Sequence, residues 1–250
     1  MKADYKRAPI SEVFIGATYN MPIIPVDSVL KNAILCDEFP SIEIREPLTI
    51  EIMEGFNLIS VLNKDGGPFL VRRRTVDRKW LVQLQTNAVY VNWIRPDTAP
   101  DTQYVGFDEV RKKFFAVVST LEDRFDISLR NDIAFCELTY TDMFPWQDEI
   151  QELSQLNKLM NVNTPPKFSE LGYNNNFSRF TFHDFSIHGF GVININTTTS
   201  LSGKQLIRVE TNLRGNPAGD IEGWLKLAHA KQHNIFDDLF KEELKKKWQQ

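Results

Sequence analysis

His229 and His233 stand four residues apart on a segment whose apolar positions repeat at helical spacing, so both imidazoles project from one side of a helix. That spacing supplies half of a tetrahedral zinc site. The other half is missing: no glutamate follows His229 in the H-E-x-x-H manner, and no cysteine or carboxylate is presented beside the pair. The remaining imidazoles, His183 and His188, bracket an FHDFSIHGFG turn. The expectation is therefore no metal and no cofactor, with His229 and His233 retained as candidate site histidines. A second grouping, Arg72, Arg73, Arg74, Arg78 and Lys79, places five cations within eight residues, next to Trp80 and Tyr90. Cations for phosphates and rings for bases make this a candidate nucleic-acid-binding hairpin. The competing account is a charged surface hairpin that guards a sheet edge against aggregation. Gln83, Gln85 and Asn92 form a third set, amides set among large apolar neighbours, and a buried amide needs a hydrogen-bond partner.

No catalytic constellation follows from spacing. Asp37-Glu38, Asp148-Glu149, Asp237-Asp238 and Glu242-Glu243 are adjacent pairs, which diverge on a helix instead of facing one another. No serine stands in a G-x-S-x-G elbow, and Gly189-Phe190-Gly191 lacks the third glycine of a phosphate loop. No catalytic residue is assigned, and the chain leans away from being an enzyme.

The elements that must carry these groups begin with Trp80–Ile94, two alternating runs joined at Thr86-Asn87 with apolar residues on both faces, which predicts an interior hairpin. Ile10–Asn20 alternates as a strand, and Pro25 opens a helical pattern through Val26, Val29, Leu30 and Ala33 that lasts until Pro40. Short strands are expected around Pro47 and at Phe69–Val76, with a turn at residues 63–68. Phe107, Val110, Phe114, Val117, Val118 and Leu121 form one continuous helical stripe. A similar order follows: a strand over Asp132–Tyr140, a helix from Pro145 through Met160, a loop over residues 161–176, and strands at Phe177–Phe182, Phe185–Asn196 and Gln205–Leu213. A closing helix is capped by Asp220 and runs towards Trp248. Thr18-Tyr19-Asn20-Met21 echoes Thr139-Tyr140-Thr141-Asp142-Met143. This order predicts an α+β fold of two tandem β-α-β-β-α halves (pseudo-duplicated), residues 1–122 and 123–250, with antiparallel sheets and long helices packed on one face; the alternative is one continuous globular unit in which the halves join edge to edge.

Composition narrows the function classes. Net charge is −4 and the pI about 5.7, so a diffuse grip on nucleic acid or an anionic membrane is not the default. Cys36 and Cys136 have no pairing pattern and read as thiols of a reducing cytosol. The segment MKADYKRAPISEV has no continuous apolar core, and no run approaches the ~18 apolar residues of a membrane span. The expected location is cytoplasmic, with no membrane association.

Three boxes carry a resemblance: Ala8-Pro9-Ile10-Ser11-Glu12-Val13; Gln83-Leu84-Gln85 with Asn92-Trp93; and Ala228-His229 with Phe236. In order and spacing they resemble a sporadically distributed, functionally uncharacterised bacterial family of about this length, with an A-P-I-x-E box near the start and a Q-L-Q…N-W hairpin. Ile94 stands where the family pattern has Arg, and the segment after Tyr104 lacks its aromatic pair. The resemblance implies no catalytic residues. Its patchy occurrence implies a component of a bacterial defence or toxin–antitoxin system.

The resulting expectation is a non-enzymatic cytoplasmic interaction protein, accessory or antitoxin-like, whose partner is itself or the product of a neighbouring gene. Two alternatives stand beside it. One is a helix-grip-like small-molecule-binding module whose cavity is lined by Phe177, Phe180, Phe182 and Phe185. The other is nucleic-acid binding through the Arg72–Lys79 hairpin.

Overall fold

The structure, a computed structural model, describes residues 8–31, 34–54, 57–62, 67–97, 99, 101–146, 149–150, 153–161, 176–200 and 202–249. Its strands are β1 (Ile10–Tyr19), β2 (Ser41–Arg45), β3 (Thr49–Glu54), β4 (Asn57–Leu62), β5 (Leu70–Arg74), β6 (Trp80–Gln85), β7 (Ala88–Ile94), β8 (Ile133–Pro145), β9 (Asn176–Asp184), β10 (Gly189–Thr199) and β11 (Gln205–Gly215). The helices are α1 (Val26–Lys31), α2 (Phe107–Phe125), α3 (Ile221–Leu239) and α4 (Glu242–Gln249).

Nine strands form one antiparallel sheet in the order β2-β5-β6-β7-β1-β8-β11-β10-β9, and β3 with β4 makes a separate hairpin. This corrects the expected fold: not two β-α-β-β-α units with sheets of their own, but one sheet running through both halves of the chain. The reason lies in β1 and β8. Both are long and apolar on one face, so each needs a partner on both edges, and they find one in each other, from Ile10 opposite Asp142 to Tyr19 opposite Ile133. The boundary expected at 122/123 falls inside α2.

Two expected helices also differ. The one read from Pro145 is replaced by five further residues of β8 beyond Tyr140 and a 3₁₀ turn at Leu153–Lys158. The periodicity misled because Phe144 and Ile150 are buried from a strand and a loop rather than from one helix face. The closing helix breaks at Phe240, which turns to extended backbone and bridges to Met160. Phe240 thereby buries its ring against Phe144, Phe236 and Trp248. The turn expected at 63–68 and the loop at 161–176 fall largely outside the described residues.

One sheet face carries the main core. Val13, Ile15 and Ala17 of β1, Val89, Val91 and Trp93 of β7, Leu138 of β8 and Leu213 of β11 pack there. Above them lie the predicted stripe of α2 and Trp224, Leu225 and Ala228 of α3. Each fully buried aliphatic or Phe side chain contributes about 1.5–3 kcal/mol, so this layer dominates the folding energy. A second cluster gathers Phe144, Ile195, Ile207, Val209, Leu239, Phe240, Leu244 and Trp248 under the end of α3 and under α4.

The opposite face is polar. Gln83 Nε2 donates to Asn92 Oδ1 (3.2 Å), and Asn92 Nδ2 donates to Glu12 Oε1 (2.5 Å). Arg214 Nη2 donates to Glu137 Oε2 (2.5 Å), and Asn212 donates to the other oxygen of that carboxylate. Tyr90 lies on this face over Gly16, where a Cβ would fall 2.4 Å from its ring. Among the described residues, no helix is long and apolar enough to cross a membrane.

Candidate functional site

The two core clusters do not close on each other. Between them, bounded by α3, the start of α2 and the first residues of β1, is a cavity of about 470 Å³. Its walls are Ile10, Tyr104, Phe107, Tyr140, Phe236 and Phe240, and its polar groups include Asp142, Thr211, His229, Gln232 and His233. A mostly apolar cleft of this size with a few converging polar groups is the usual form of a small-molecule site.

Each wall is held in place by identifiable bonds. On β8, Tyr140 and Asp142 point to the same side because strand side chains alternate. Opposite them, β1 carries an extra residue: Ile10 faces Asp142 and Glu12 faces Thr141, leaving Ser11 in a bulge. Ser11 Oγ donates to the Thr141 carbonyl, and its own carbonyl accepts from Arg95 N–H (2.7 Å). Bulges re-aim neighbouring side chains, and this one turns Ile10 into the cavity. Arg95 ties down the mouth, donating from Nε to the Thr102 carbonyl (3.0 Å) and from Nη2 to the Ala8 carbonyl (3.1 Å). Gly106, at φ 92°, then turns the chain into α2 with a conformation that a Cβ would disfavour. On α3, Gln232 reaches down and donates from Nε2 to the carbonyls of Leu138 (3.2 Å) and Thr211 (2.8 Å), fixing the helix height above the sheet.

Inside, the Tyr140 hydroxyl lies 3.2 Å from the Tyr104 hydroxyl and 3.1 Å from His229 Nδ1, so the three side chains form one hydrogen-bonded chain. The His229 ring stacks on Phe107 at 4.0 Å and meets His233 edge-on at 4.6 Å. Burial pushes the Tyr140 hydroxyl well above its ordinary range, with Tyr104 adding to the effect, and burial also raises Tyr104. Asp142 is only 4% exposed, and its Oδ1 has no hydrogen-bond partner. Desolvation pushes its carboxyl up to about 7, and Arg95 opposes the rise.

The candidates read from sequence fall in several places. His229 and His233 both line the cavity. Among the described residues, no group of three or more His, Cys, Asp or Glu side chains is placed to hold a metal ion. Gln83 and Asn92 belong to the polar sheet face, and Gln85 is buried with its Oε1 accepting from Leu48 N–H (3.3 Å). The basic cluster divides. Arg72, Arg74 and Arg78 border a shallow groove with Arg45 and Glu43, whereas Arg73 is buried and donates to the Phe39 carbonyl. Lys79 pairs with Asp77. Of the four phenylalanines, Phe180 and Phe185 are exposed, Phe182 packs against Gly191, and the side chain of Phe177 lies outside the described residues. Phe180, Phe182 and Phe185 do not line the cavity. Cys136 is buried and its thiol is pushed up to about 12 by desolvation, which leaves it unreactive.

Tyr104, Tyr140, Asp142 and Arg95 escaped sequence reasoning. One signal was there for Asp142: in Cys136, Leu138, Tyr140, Asp142, Phe144 it is the lone charge on an alternating apolar face. Of the residues in the three sequence boxes, only some lie here, since Gln83, Leu84, Gln85 and Asn92 do not line the cavity. Ala8 and Ile10 line the cavity, Trp93 packs edge-on against Tyr104 at 5.1 Å, and His229 and Phe236 face in from α3. No family model matches the chain, and no curated protein matches it either.

Proposed function

We propose that this chain is a non-enzymatic binding protein for a small, largely apolar molecule held between α2, α3 and the sheet. The observation that carries the reading is the cavity itself, about 470 Å³ between two otherwise well-packed cores, with an unpartnered buried carboxylate oxygen on its wall. Protein interiors are close-packed, and a cleft of this size leaves the apolar side chains that line it without dispersion contacts on one side. Three distant segments are braced around it by Arg95, Gln232 and the Ser11 bulge, which is the support a preformed site needs. An accessory or antitoxin-like role, as the resemblance implies, would then be that of a partner whose state reports a bound small molecule.

The test is a screen of small apolar compounds by thermal unfolding of the wild type beside Thr211→Trp. Thr211 is a buried wall residue opposite Tyr140, and an indole there fills the space. A ligand at a hundred times its Kd stabilises by about 2.7 kcal/mol, which for a chain of this size raises Tm by roughly 5–10 °C. The expected result is such a rise in the wild type and none in Thr211→Trp. Equal rises in both proteins, or none in the wild type, would overturn the reading.

A protein partner is the second reading, and one observation favours it. β2 is the outer strand of the large sheet, and Ile42 and Ile44 on it are 47% and 58% exposed. An apolar edge strand is a template for strand addition by another chain. Replacing both isoleucines with lysine should abolish any self-association or co-purifying partner seen with the wild type. Unchanged association would remove this reading.

A further inference from the structure

We infer that the cavity takes a ligand with a protonated amine, its ammonium group held at Asp142 and its apolar body against the aromatic wall. The inference rests on the reading of the cavity as a ligand site and adds the chemistry of the ligand.

Three observations lead to it. Asp142 sits on the cavity wall, is 4% exposed, and its Oδ1 accepts no hydrogen bond. A buried polar atom without a partner costs about as much as a lost hydrogen bond, so the fold supports this one for a reason other than its own stability. The neighbouring cation does not supply the missing bond. Arg95 is close enough to act on Asp142 through space, but its Nε and Nη2 are engaged by the Thr102 and Ala8 carbonyls.

Two of the other polar groups facing the cavity are already engaged. The Tyr140 hydroxyl is bonded to Tyr104 and His229, and the Gln232 amide is committed to two backbone carbonyls. An incoming carboxylate only accepts and would compete with these bonds, whereas a donor can bond Asp142 Oδ1 without breaking any of them, an ammonium more strongly than a hydroxyl because the bond is then charge-assisted. The rings of Tyr104, Phe107, Tyr140, Phe236 and Phe240 complete the argument. Aromatic faces attract cations and stack on apolar groups, so a wall of this kind suits an amine better than an anion.

The experiment is isothermal titration of the full chain with phenethylamine, phenethyl alcohol and phenylacetate, three probes that share a ring and differ at the end group. The expected order is amine first, by about tenfold or more over the alcohol, as for a charge-assisted hydrogen bond in a buried site. Asp142→Asn should erase that preference while leaving alcohol affinity within about twofold. Tyr104→Leu keeps the wall apolar but removes a ring, and should weaken the amine severalfold without weakening the alcohol. An alcohol or carboxylate that binds the wild type as well as the amine does would overturn the amine inference and leave the ligand site standing. An amine preference that survives in Asp142→Asn would overturn the role of Asp142. If no probe binds, the amine inference also falls, and the compound screen with Thr211→Trp decides separately whether the cavity binds anything.

Discussion

Asp142 makes the stability of this protein fall as pH rises through the mildly acidic range, and the size of that fall follows from its burial. In the unfolded chain its carboxyl titrates near 3.8; in the folded protein desolvation moves it to about 7. Between those values the folded state holds a proton that the unfolded state has released. Fewer protons on the unfolded state means that stability decreases with increasing pH, from full strength near pH 4 to complete loss of this contribution above about pH 7. Roughly three pH units at 1.36 kcal/mol each give about 4 kcal/mol as an upper bound, since water admitted by the cavity lessens the penalty. Other charged or titratable groups act here too: Arg95 opposes the rise, and Tyr104, Tyr140, His229 and His233 share the cavity. Glu12, also raised by burial, contributes with the same sign. The comparison with Asp142→Asn cancels these background contributions, because the amide has the size of the protonated carboxyl and does not titrate. Urea unfolding of both proteins, followed by circular dichroism at about pH 5 and pH 7.5, measures the difference. About two of those three pH units lie in that interval, so the wild type should lose up to about 2.7 kcal/mol relative to the variant across it. Parallel pH profiles would refute the reasoning, because they would mean that Asp142 is ionised in the folded state as readily as in water.

Two further outcomes follow from the polar sheet face. Glu137→Gln leaves the buried Arg214 facing an amide in place of a carboxylate and should cost about 3–5 kcal/mol by urea unfolding, whereas replacing Glu137 and Arg214 together with methionine should recover most of that loss. Gly16→Ala forces a methyl into the Tyr90 ring and should cost about 1–3 kcal/mol, and Tyr90→Leu in the same chain should bring the combined cost below the sum of the two single changes.

How much of this was legible in the sequence depends on whether a feature is set by local periodicity or by pairing between distant strands. The α2 stripe and the Thr86-Asn87 hairpin are local, and both stand where alternation and helical spacing put them. The pairing of β1 with β8 joins segments more than a hundred residues apart, and nothing in either strand names its partner, so the sequence allows an edge-to-edge join of the two halves but does not identify the strands that make it. The same limit hid the site. His229 and His233 were visible as a helical pair, but their surroundings come from β1, β8, β11 and the loop before α2. Asp142 was hidden by a boundary error. With the strand stopped at Tyr140, the aspartate fell outside the alternation, although two more residues of it carry Asp142 onto the buried face beside Phe144. A charge on the apolar register of a strand is costly wherever it occurs, so it persists only where the fold neutralises it, pairs it or keeps it for a ligand. Arg95 is turned to backbone carbonyls and Oδ1 is left unpartnered, so two of those routes remain, a carboxyl that burial keeps neutral or one that the proposed amine would engage.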